Sequence, residues 1–348
     1  MHSAAGVRPV HRHYPYLDGL RGLAILLVLV GHAIPGLLPL AGTGVMVFFV
    51  LSGFLITSIL NEERRHTGTV SLRRFYIRRT LRIFPAYYTM VAIVALLAVF
   101  GLVAGVDFRN VVICALYLRN LGGTSQVLGH AWSLALEEQF YVLWPTMFLA
   151  MPRAAGRAAR VTACLIAGMT LFRTLAIINH WGVVATGVFY ARPWFRFDSL
   201  WIGCAIALWT AHGVDGRFAR RFALVPTAAW IAALLAWSLV ARSPALAPVS
   251  ETLSMLLAGG LLLRLRLADD GWVGWIMRSS FMRWLGKLSY SLYLWQQLFL
   301  IAGEGGPDWG IARVFPVNIL LLFAAALASY HLVERPFLRL KDRLAPQA

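Results

Sequence analysis

The sequence predicts an all-α membrane protein, a polytopic helical bundle of about ten transmembrane helices with both termini in the cytoplasm. Of its 348 residues, 59% are hydrophobic and only 14% are charged, whereas a soluble globular protein has a charged share of about 25%. A window of about 19 residues, the length of a membrane-crossing helix, finds ten apolar segments. These predicted spans lie near residues 20–38, 43–60, 84–104, 132–151, 160–180, 198–212, 222–241, 248–264, 283–303 and 312–333.

The distribution of positive charge predicts the orientation of the chain. The net charge of +17 could by itself indicate a nucleic-acid partner. If the N-terminus is cytoplasmic, however, 24 of the 32 lysines and arginines fall in the inner segments, and six fall in the outer loops. This bias is the positive-inside rule, so the basic excess is mostly a matter of topology and no nucleic-acid partner is predicted. The six outer arginines are Arg109, Arg119, Arg192, Arg196, Arg242 and Arg313.

The chain is predicted to form one domain. Residues 1–16 are a polar and basic cytoplasmic segment, residues 17–340 are the transmembrane domain, and residues 341–348 are a cytoplasmic tail. The first span lacks a small-residue cleavage site and is interpreted as an uncleaved anchor. The three cysteines are far apart and show no metal-ligand or disulfide spacing, so no metal site is predicted.

The first span, "LDGLRGLAILLVLVGHAIPG", carries ionisable residues where lipid would be expected. Arg21 and His32 are eleven residues apart, almost three helical turns, so they share one face at a separation of roughly 16 Å. Ionisable residues at membrane depth are costly and usually functional. The alternative is that Arg21 snorkels to the headgroups while His32 bonds a neighbouring carbonyl.

An arginine cluster, "SLRRFYIRRTLRIFPAYY", precedes the third span. Arg78 and Arg82 are predicted to share a helical face, with Arg79 beside them, and Pro85 marks a break or the start of the span. Guanidinium groups match phosphates through bidentate hydrogen bonds. Together with a polar outer cavity, the cluster suggests a phosphorylated donor that enters from the cytoplasm. Attraction to anionic lipid is the alternative reading of the cluster.

The fourth span opens with "GHAWSLALEEQFYVLWP". It is predicted to run inwards, which places Glu137 and Glu138 near the depth of His32, and Tyr141 shares a face with Glu137. A carboxylate beside a histidine holds the ring tautomer that a general base needs. The alternatives are a structural ion pair or a glutamate that faces an aqueous vestibule. The predicted cavity-lining residues of this segment are His130, Ser133, Glu138 and Tyr141.

The fifth and sixth spans bring further charges to the outer level. Arg173 lies in the fifth span, and "ARPWFRFDSLWIG" places Arg196 and Asp198 at the start of the sixth. Charges from four helices at one depth predict a shared polar cavity, because lipid would not accept them separately. Mutual pairing of Arg173 and Asp198 is the alternative.

Seven motifs, in this order, resemble the acyltransferase-3 family of integral membrane O-acyltransferases. They are "LDGLRGLAILLVLVGH", "FFVLSGFLI", "RRTLRIFPAYY", "HAWSLALEEQFYVLWP", "RFDSLWIG", "SYSLYLWQ" and "HLVERPF". The resemblance covers the chain from Leu17 to about Leu340. It implies transfer of an acyl group, most often acetyl, from acyl-CoA to a hydroxyl of a sugar or sugar-bearing molecule. A stand-alone member without a fused SGNH domain is expected.

The resemblance also implies residue roles. The family's arginine and histidine pair falls on Arg21 and His32, its RxxR motif on Arg79 and Arg82, and its WSLxxE glutamate on Glu137. One departure is Gln296, because many members have histidine there, and this leaves more of the catalysis to His32.

The hypothesis is an acyl-CoA-dependent O-acyltransferase with His32 as general base and Glu137 orienting its ring. Arg78, Arg79 and Arg82 would hold the CoA phosphates, and the pantetheine arm would pass Arg21. Direct transfer and an acyl-enzyme intermediate both stay open.

Acyl-CoA is expected as a co-substrate, with no tightly bound cofactor, no metal and contact with membrane lipid. The expected location is the bacterial inner membrane, and a homo-oligomer is compatible with the sequence. The acceptor would be a cell-surface glycan or a small glycosylated natural product such as a macrolide. The alternatives outside this class are a proton-coupled transporter and a receptor for a nucleotide-bearing ligand.

Overall fold

The computed structural model describes residues 15–179, 192–240, 247–267, 271–301 and 309–345. These residues form helices joined by short turns, with no β-strand among them, so the all-α prediction is confirmed. The cytoplasmic segment predicted at the N-terminus falls almost wholly outside the described residues, as do Arg242 and residues 346–348.

The described helices follow one another in a single chain order. They are α1 Pro15–Ala33, α2 Leu38–Thr67, α3 Leu72–Val99, α4 Phe108–Ala115, α5 Ala131–Ala150, α6 Ala155–Ile178, α7 Phe197–His212, α8 Gly216–Ala223, α9 Thr227–Val240, α10 Ala247–Leu267, α11 Gly271–Arg278, α12 Ser280–Leu300, α13 Val317–Ser329 and α14 Arg335–Leu344. A π-helical turn, Tyr330–Glu334, joins α13 to α14.

Each of the ten predicted spans falls on one of these helices. Among the described residues, five helical segments are long and apolar enough by themselves to cross a membrane, or six if the bent pair α8 and α9 is one span. The remaining predicted spans fall on α5, α7, α10 and α12, which are not among those segments. The chain is a multi-pass membrane protein.

Two boundaries differ from the sequence prediction. Pro85 lies inside α3 rather than at a break, so the arginine cluster and the third span are one continuous helix. Of the two interpretations of Pro85, the break is wrong, because a proline removes a single backbone donor and a long apolar helix tolerates that loss. The start of the span near Pro85 stays a prediction. At the C-terminal end, α14 continues through the predicted start of the tail to Leu344.

The chain divides into two compact units. The first contains residues 1–31, 36–68 and 140–287. Its core lies where α1, α2, α7 and α10 meet, and buried side chains of these helices form one apolar cluster. Glycines allow the helix backbones to approach closely: a Cβ at Gly53 would lie 1.9 Å from the Leu200 carbonyl oxygen, and one at Gly203 would lie 2.0 Å from that of Val50.

The second unit contains residues 32–35, 69–139 and 288–348. It is built from α3, α4, the first half of α5, most of α12, and the continuous helix formed by α13, the π-helical turn and α14. The amphipathic helix α14 packs along α3. This unit brings together the arginine cluster, the glutamates of the fourth span and His32.

Candidate active site

A polar cluster in the second unit is centred on His130, at the turn that precedes α5. The Gln297 side-chain oxygen, Oε1, accepts a hydrogen bond from the His130 backbone N–H at 2.8 Å and lies 3.1 Å from the ring Nδ1. Because a carboxamide oxygen only accepts, Nδ1 must carry the hydrogen, and the neutral ring then presents Nε2 as a bare acceptor. His130 Nε2 is buried and has no hydrogen-bond partner among the described residues.

Ser133 and Tyr293 extend this cluster. Their hydroxyl oxygens are 2.5 Å apart, and the Tyr293 hydroxyl also donates to the His130 carbonyl at 3.2 Å. Glu137 lies close enough to interact electrostatically with Tyr293. The described residues therefore place an imidazole, two hydroxyls and a carboxylate at one level of the unit, although Tyr293 and Gln297 are more than 150 residues away from His130 in sequence.

His32 belongs to the same unit and is half-buried. It lies within electrostatic range of His130, so the structure brings two imidazoles to the same cluster. Four residues predicted from the sequence, His32, His130, Ser133 and Glu137, are thus placed together. The orientation of the His32 ring by Glu137 stays a prediction.

The second unit also contains an ion pair between α3 and α5. Arg79 Nε lies 3.9 Å from Glu138 Oε1. Arg79 is seven residues from the start of α3 and Glu138 is seven residues from the start of α5, so each side chain lies roughly 10 Å along its helix. The Tyr290 hydroxyl donates to the Ile83 carbonyl at 2.9 Å and is within electrostatic range of both members of the pair.

A basic cluster lies between α3 and α14. Arg78 donates a hydrogen bond to the Ala345 carbonyl at the end of α14. Lys341 interacts electrostatically with both Arg82 and Arg78, and its ammonium nitrogen is 3.3 Å from a carboxylate oxygen of Asp342. Three cations in mutual range are typical of an anion-binding site, because a bound anion offsets their repulsion.

A second carboxylate, that of Glu334, lies beside this basic cluster. The Ser291 hydroxyl donates to Glu334, which is buried and within electrostatic range of Arg82. The polar groups of the second unit consequently continue from the basic cluster, through the pair of Arg79 and Glu138, to the two histidines. Sequence reasoning missed Tyr290, Tyr293, Gln297, Glu334 and Lys341 as members of the site. The "SYSLYLWQ" and "HLVERPF" motifs were the available signal for Tyr290, Tyr293 and Glu334, whereas Gln297 directly follows the first motif and Lys341 follows the second.

The other predicted site residues lie in the first unit, where the structure shows ion pairs. Arg173 and Asp198 are 1% exposed and form a 2.6 Å pair, and Arg173 also donates to the Phe195 carbonyl and to Thr252. Arg196 pairs with Glu251. The pairing that the sequence left as an alternative for Arg173 and Asp198 is therefore observed. Their role in lining a cavity stays a prediction.

Arg21 and Tyr141 also fall in the first unit. Arg21 is part-exposed, shares α1 with His32 as predicted, and pairs with Asp18 one turn away at 3.4 Å. Tyr141 is buried, at 1% exposure. The roles expected of both residues stay predictions.

Comparison with known proteins resolves the family. A model of an acyltransferase domain, that of the acyltransferase-3 family, matches residues 14–333, nearly the whole chain. The chain belongs to the acyltransferase-3 family. The seven motifs of the acyltransferase-3 family thus lie on helices of both units, and the resemblance noted in the sequence is confirmed.

Several curated relatives are similar to the chain. It is 29% identical over 310 residues to the peptidoglycan O-acetyltransferase OatA of Listeria monocytogenes, covering 82% of the chain and 49% of that protein. It is 27% identical over 352 residues to a Bacillus subtilis protein provisionally named peptidoglycan O-acetyltransferase YrhL, covering 94% of the chain and 55% of that protein. The chain thus spans about half the length of these relatives. No solved structure matches it.

The position where the sequence departs from many family members is also buried. Gln296 is 0% exposed, and neither its side-chain oxygen nor its nitrogen has a hydrogen-bond partner among the described residues. A buried carboxamide without partners is costly, and such groups often mark a site that a ligand or water completes. Its neighbour Gln297 bonds His130, so Gln296 lies on the segment of α12 that contributes to the polar cluster around His130.

Proposed function

We propose that this chain is an acyl-CoA-dependent O-acyltransferase of the bacterial inner membrane, which transfers an acetyl group to a hydroxyl of a cell-envelope glycan. The observation that carries the proposal is the continuous series of polar groups in the second unit, from the basic cluster to the two histidines. Family membership supports acyl transfer. The relatives named as peptidoglycan O-acetyltransferases support a glycan acceptor.

The donor would bind at the basic cluster between α3 and α14. Arg78, Arg82 and Lys341 offer three cations to the phosphates of CoA, and guanidinium groups form bidentate bonds with phosphate oxygens. Arg79 would be shared between the phosphates and Glu138. The cluster lies at the helix ends that the charge bias predicts to be cytoplasmic, where acyl-CoA is available.

The pantetheine arm would then follow the polar groups towards the histidines. It is long and thin, and its amides need hydrogen-bonding partners inside a membrane. Tyr290 and the pair of Arg79 and Glu138 lie between the two clusters and offer such partners. In this arrangement the thioester reaches the level of Glu137, Ser133 and His130, with His32 close by.

The transfer step requires a base beside the acceptor hydroxyl. His32 would remove the hydroxyl proton while the hydroxyl oxygen attacks the thioester carbonyl. The carbon–sulfur bond then breaks, and the CoA sulfur leaves as a thiol after taking the proton from the imidazolium. General base catalysis of this kind contributes about 10²–10⁴-fold. A covalent relay through an acyl-enzyme would use the same groups in two steps.

The test is acyl transfer by the purified full chain. Labelled acetyl-CoA and longer acyl-CoAs are incubated with peptidoglycan fragments and cell-envelope extract, and product mass shifts identify the acceptor. His32→Ala should lower the transfer rate by at least about a hundredfold while CoA binding persists. His66→Ala is the matched control, because His66 is an exposed histidine of the first unit whose ring bonds Glu62, one turn away on its own helix. Undiminished transfer by the His32 variant would exclude the assignment.

A further inference from the structure

A cleft in the first unit is separate from the candidate active site. It has a volume of about 690 Å³ and lies between the start of α6 and the end of α7. Its walls are polar at the helix ends, where Arg157, Arg160 and His212 lie, and apolar further in, where Ala163, Ala205 and Ile206 lie. From Arg157 to Ala163 the cleft extends along α6 by roughly 9 Å.

The basic end of the cleft has no counter-charge in the part of the chain that the structure describes. Arg157 and Arg160 are exposed and sit three residues apart, so they are neighbours on one helix face. Among the described residues, neither is within ion-pair distance of a carboxylate. Two adjacent cations at the mouth of a cleft attract an anion.

Small residues create the inner part of the cleft. Ala159, Ala163 and Ala205 leave space between α6 and α7 that larger side chains would fill. At the mouth, a Cβ on Gly156 would lie 2.9 Å from the His212 ring, so a glycine at this position allows the imidazole to rest against α6. An apolar groove beneath two arginines matches the amphipathic character of a lipid rather than that of a soluble anion.

The helix beside the mouth of the cleft is of the kind that lies at headgroup level. Trp209 lines the cleft and packs edge-to-face on Phe218 of α8, with ring centroids 4.9 Å apart. Helix α8 is bent by 67° from α9, and its arginines are exposed while Phe218 and Phe222 stack on each other. Short amphipathic helices with basic and aromatic faces lie in the membrane interface, and tryptophan is enriched there.

We propose that this cleft binds an anionic phospholipid of the cytoplasmic leaflet. The lipid phosphate lies between Arg157 and Arg160 beside His212, and one acyl chain lies against Ala163, Ala205 and Ile206. The proposal does not depend on the acyl-transfer reaction, because none of these residues belongs to the second unit.

The test measures bound lipid on the full chain by native mass spectrometry in detergent. Phosphatidylglycerol and phosphatidylcholine with identical acyl chains are titrated against the protein. The wild type should retain one phosphatidylglycerol at a concentration about tenfold lower than that needed for phosphatidylcholine, because each basic residue favours anionic lipid. Equal retention of the two lipids would overturn the proposal.

Three variants separate the cleft from a general basic surface. Arg157→Gln/Arg160→Gln should weaken phosphatidylglycerol retention about tenfold or more. Arg217→Gln/Arg220→Gln removes the same charge from α8, outside the cleft, and should retain the lipid. Ala163→Trp should lose the lipid with every charge in place, and Ala205→Leu serves the same purpose if the tryptophan variant does not fold.

Thermal melting without added lipid checks that each variant is folded. An equal loss of lipid in the α8 variant would show a diffuse basic surface instead of a site. Retention of phosphatidylglycerol by folded variants whose cleft is filled would likewise contradict the proposal.

Discussion

At the scale of single residues, the carboxamide of Gln297 determines which face of His130 is chemically active. Its oxygen bonds both the backbone N–H and the ring Nδ1 of His130, which leaves Nε2 as an acceptor inside the polar cluster. Because His130 is neutral in this tautomer, it places no positive charge beside the imidazolium that His32 would form on taking the acceptor proton. Gln297 is a positioning residue in this scheme.

Replacement of Gln297 tests this scheme. Gln297→Leu should lower the acyl-transfer rate by about tenfold to a hundredfold, the equivalent of ~1.5–3 kcal/mol, which is the range for a buried donor left without its acceptor. Gln297→Glu keeps an acceptor opposite Nδ1 and should restore much of the rate. The measurement is kcat with its pH profile, and the KM for acyl-CoA should stay unchanged. A leucine variant with the wild-type rate and pH profile would contradict the scheme.

The ionisable residues in the predicted spans were only partly interpretable from the sequence. Arg173, Asp198 and His32 could be singled out from the sequence, because an ionisable residue in an apolar span is conspicuous. The pairing of Arg173 with Asp198 was open from the sequence only as an alternative, because pairing depends on the rotation of α6 and α7 about their axes. The structure joins Arg173 to Asp198 within the first unit, whereas His32 is in the second unit with His130.

At the scale of helices, the packing of α14 along α3 adds Lys341 to the predicted arginine cluster. Hydropathy does not predict the contact between α14 and α3, since the basic composition of α14 is typical of a cytoplasmic tail. The family motifs do not indicate a role for Lys341 either, because it lies beyond the last of them, "HLVERPF". The amphipathic pattern of α14 was the one available signal, and it does not specify the partner helix.

Lys341→Gln should affect the stability of the protein and its affinity for CoA in different ways. Because Lys341 faces Arg78 and Arg82, loss of its charge relieves repulsion, so the melting temperature without ligand should stay level or rise. The affinity for CoA should fall about tenfold, as expected for the loss of one charge-assisted contact. Arg343→Gln is the control, because Arg343 is exposed on the same helix. Equal CoA affinities in the two variants would remove Lys341 from the donor site.

The close contact of α2 with α7 depends on glycine at two positions. Gly53→Ala should destabilise the folded protein, because the new Cβ would lie 1.9 Å from the Leu200 carbonyl oxygen and would force the two backbones apart. Gly42→Ala is the matched control: Gly42 is in the same helix, and a Cβ there would meet nothing within 4 Å. The control should be neutral or stabilising by up to ~1 kcal/mol.

Thermal melting in one detergent measures both glycine variants. The expected order of melting temperatures is the Gly42 variant at or above the wild type and the Gly53 variant below it. If the two variants melt together, the contact between α2 and α7 is not as close as described.

At the scale of the whole molecule, the positions of the apolar helices were predictable because they depend on local hydropathy, whereas α4, α11 and α14 coincide with no predicted span. Each predicted span falls on a helix, although α7, α9 and α13 are short, with 16, 14 and 13 residues. The division into two units was not predictable, because no linker or change in composition separates them. His32 shows the difficulty, since it belongs to the second unit while the rest of α1 up to Gly31 belongs to the first.

The predicted orientation in the membrane decides which side supplies the donor, and single cysteines can test it. In a Cys164→Ser background, whose remaining cysteines Cys114 and Cys204 are buried, Gln126→Cys and Arg343→Cys each introduce one exposed thiol. A membrane-impermeant maleimide applied to intact spheroplasts should label position 126, in a predicted outer loop, and should reach position 343 only after permeabilisation. This outcome is expected because the excess of lysine and arginine favours retention of their segments in the cytoplasm. The reverse labelling pattern would place the basic cluster outside, away from acyl-CoA, and would contradict the proposed direction of acyl transfer.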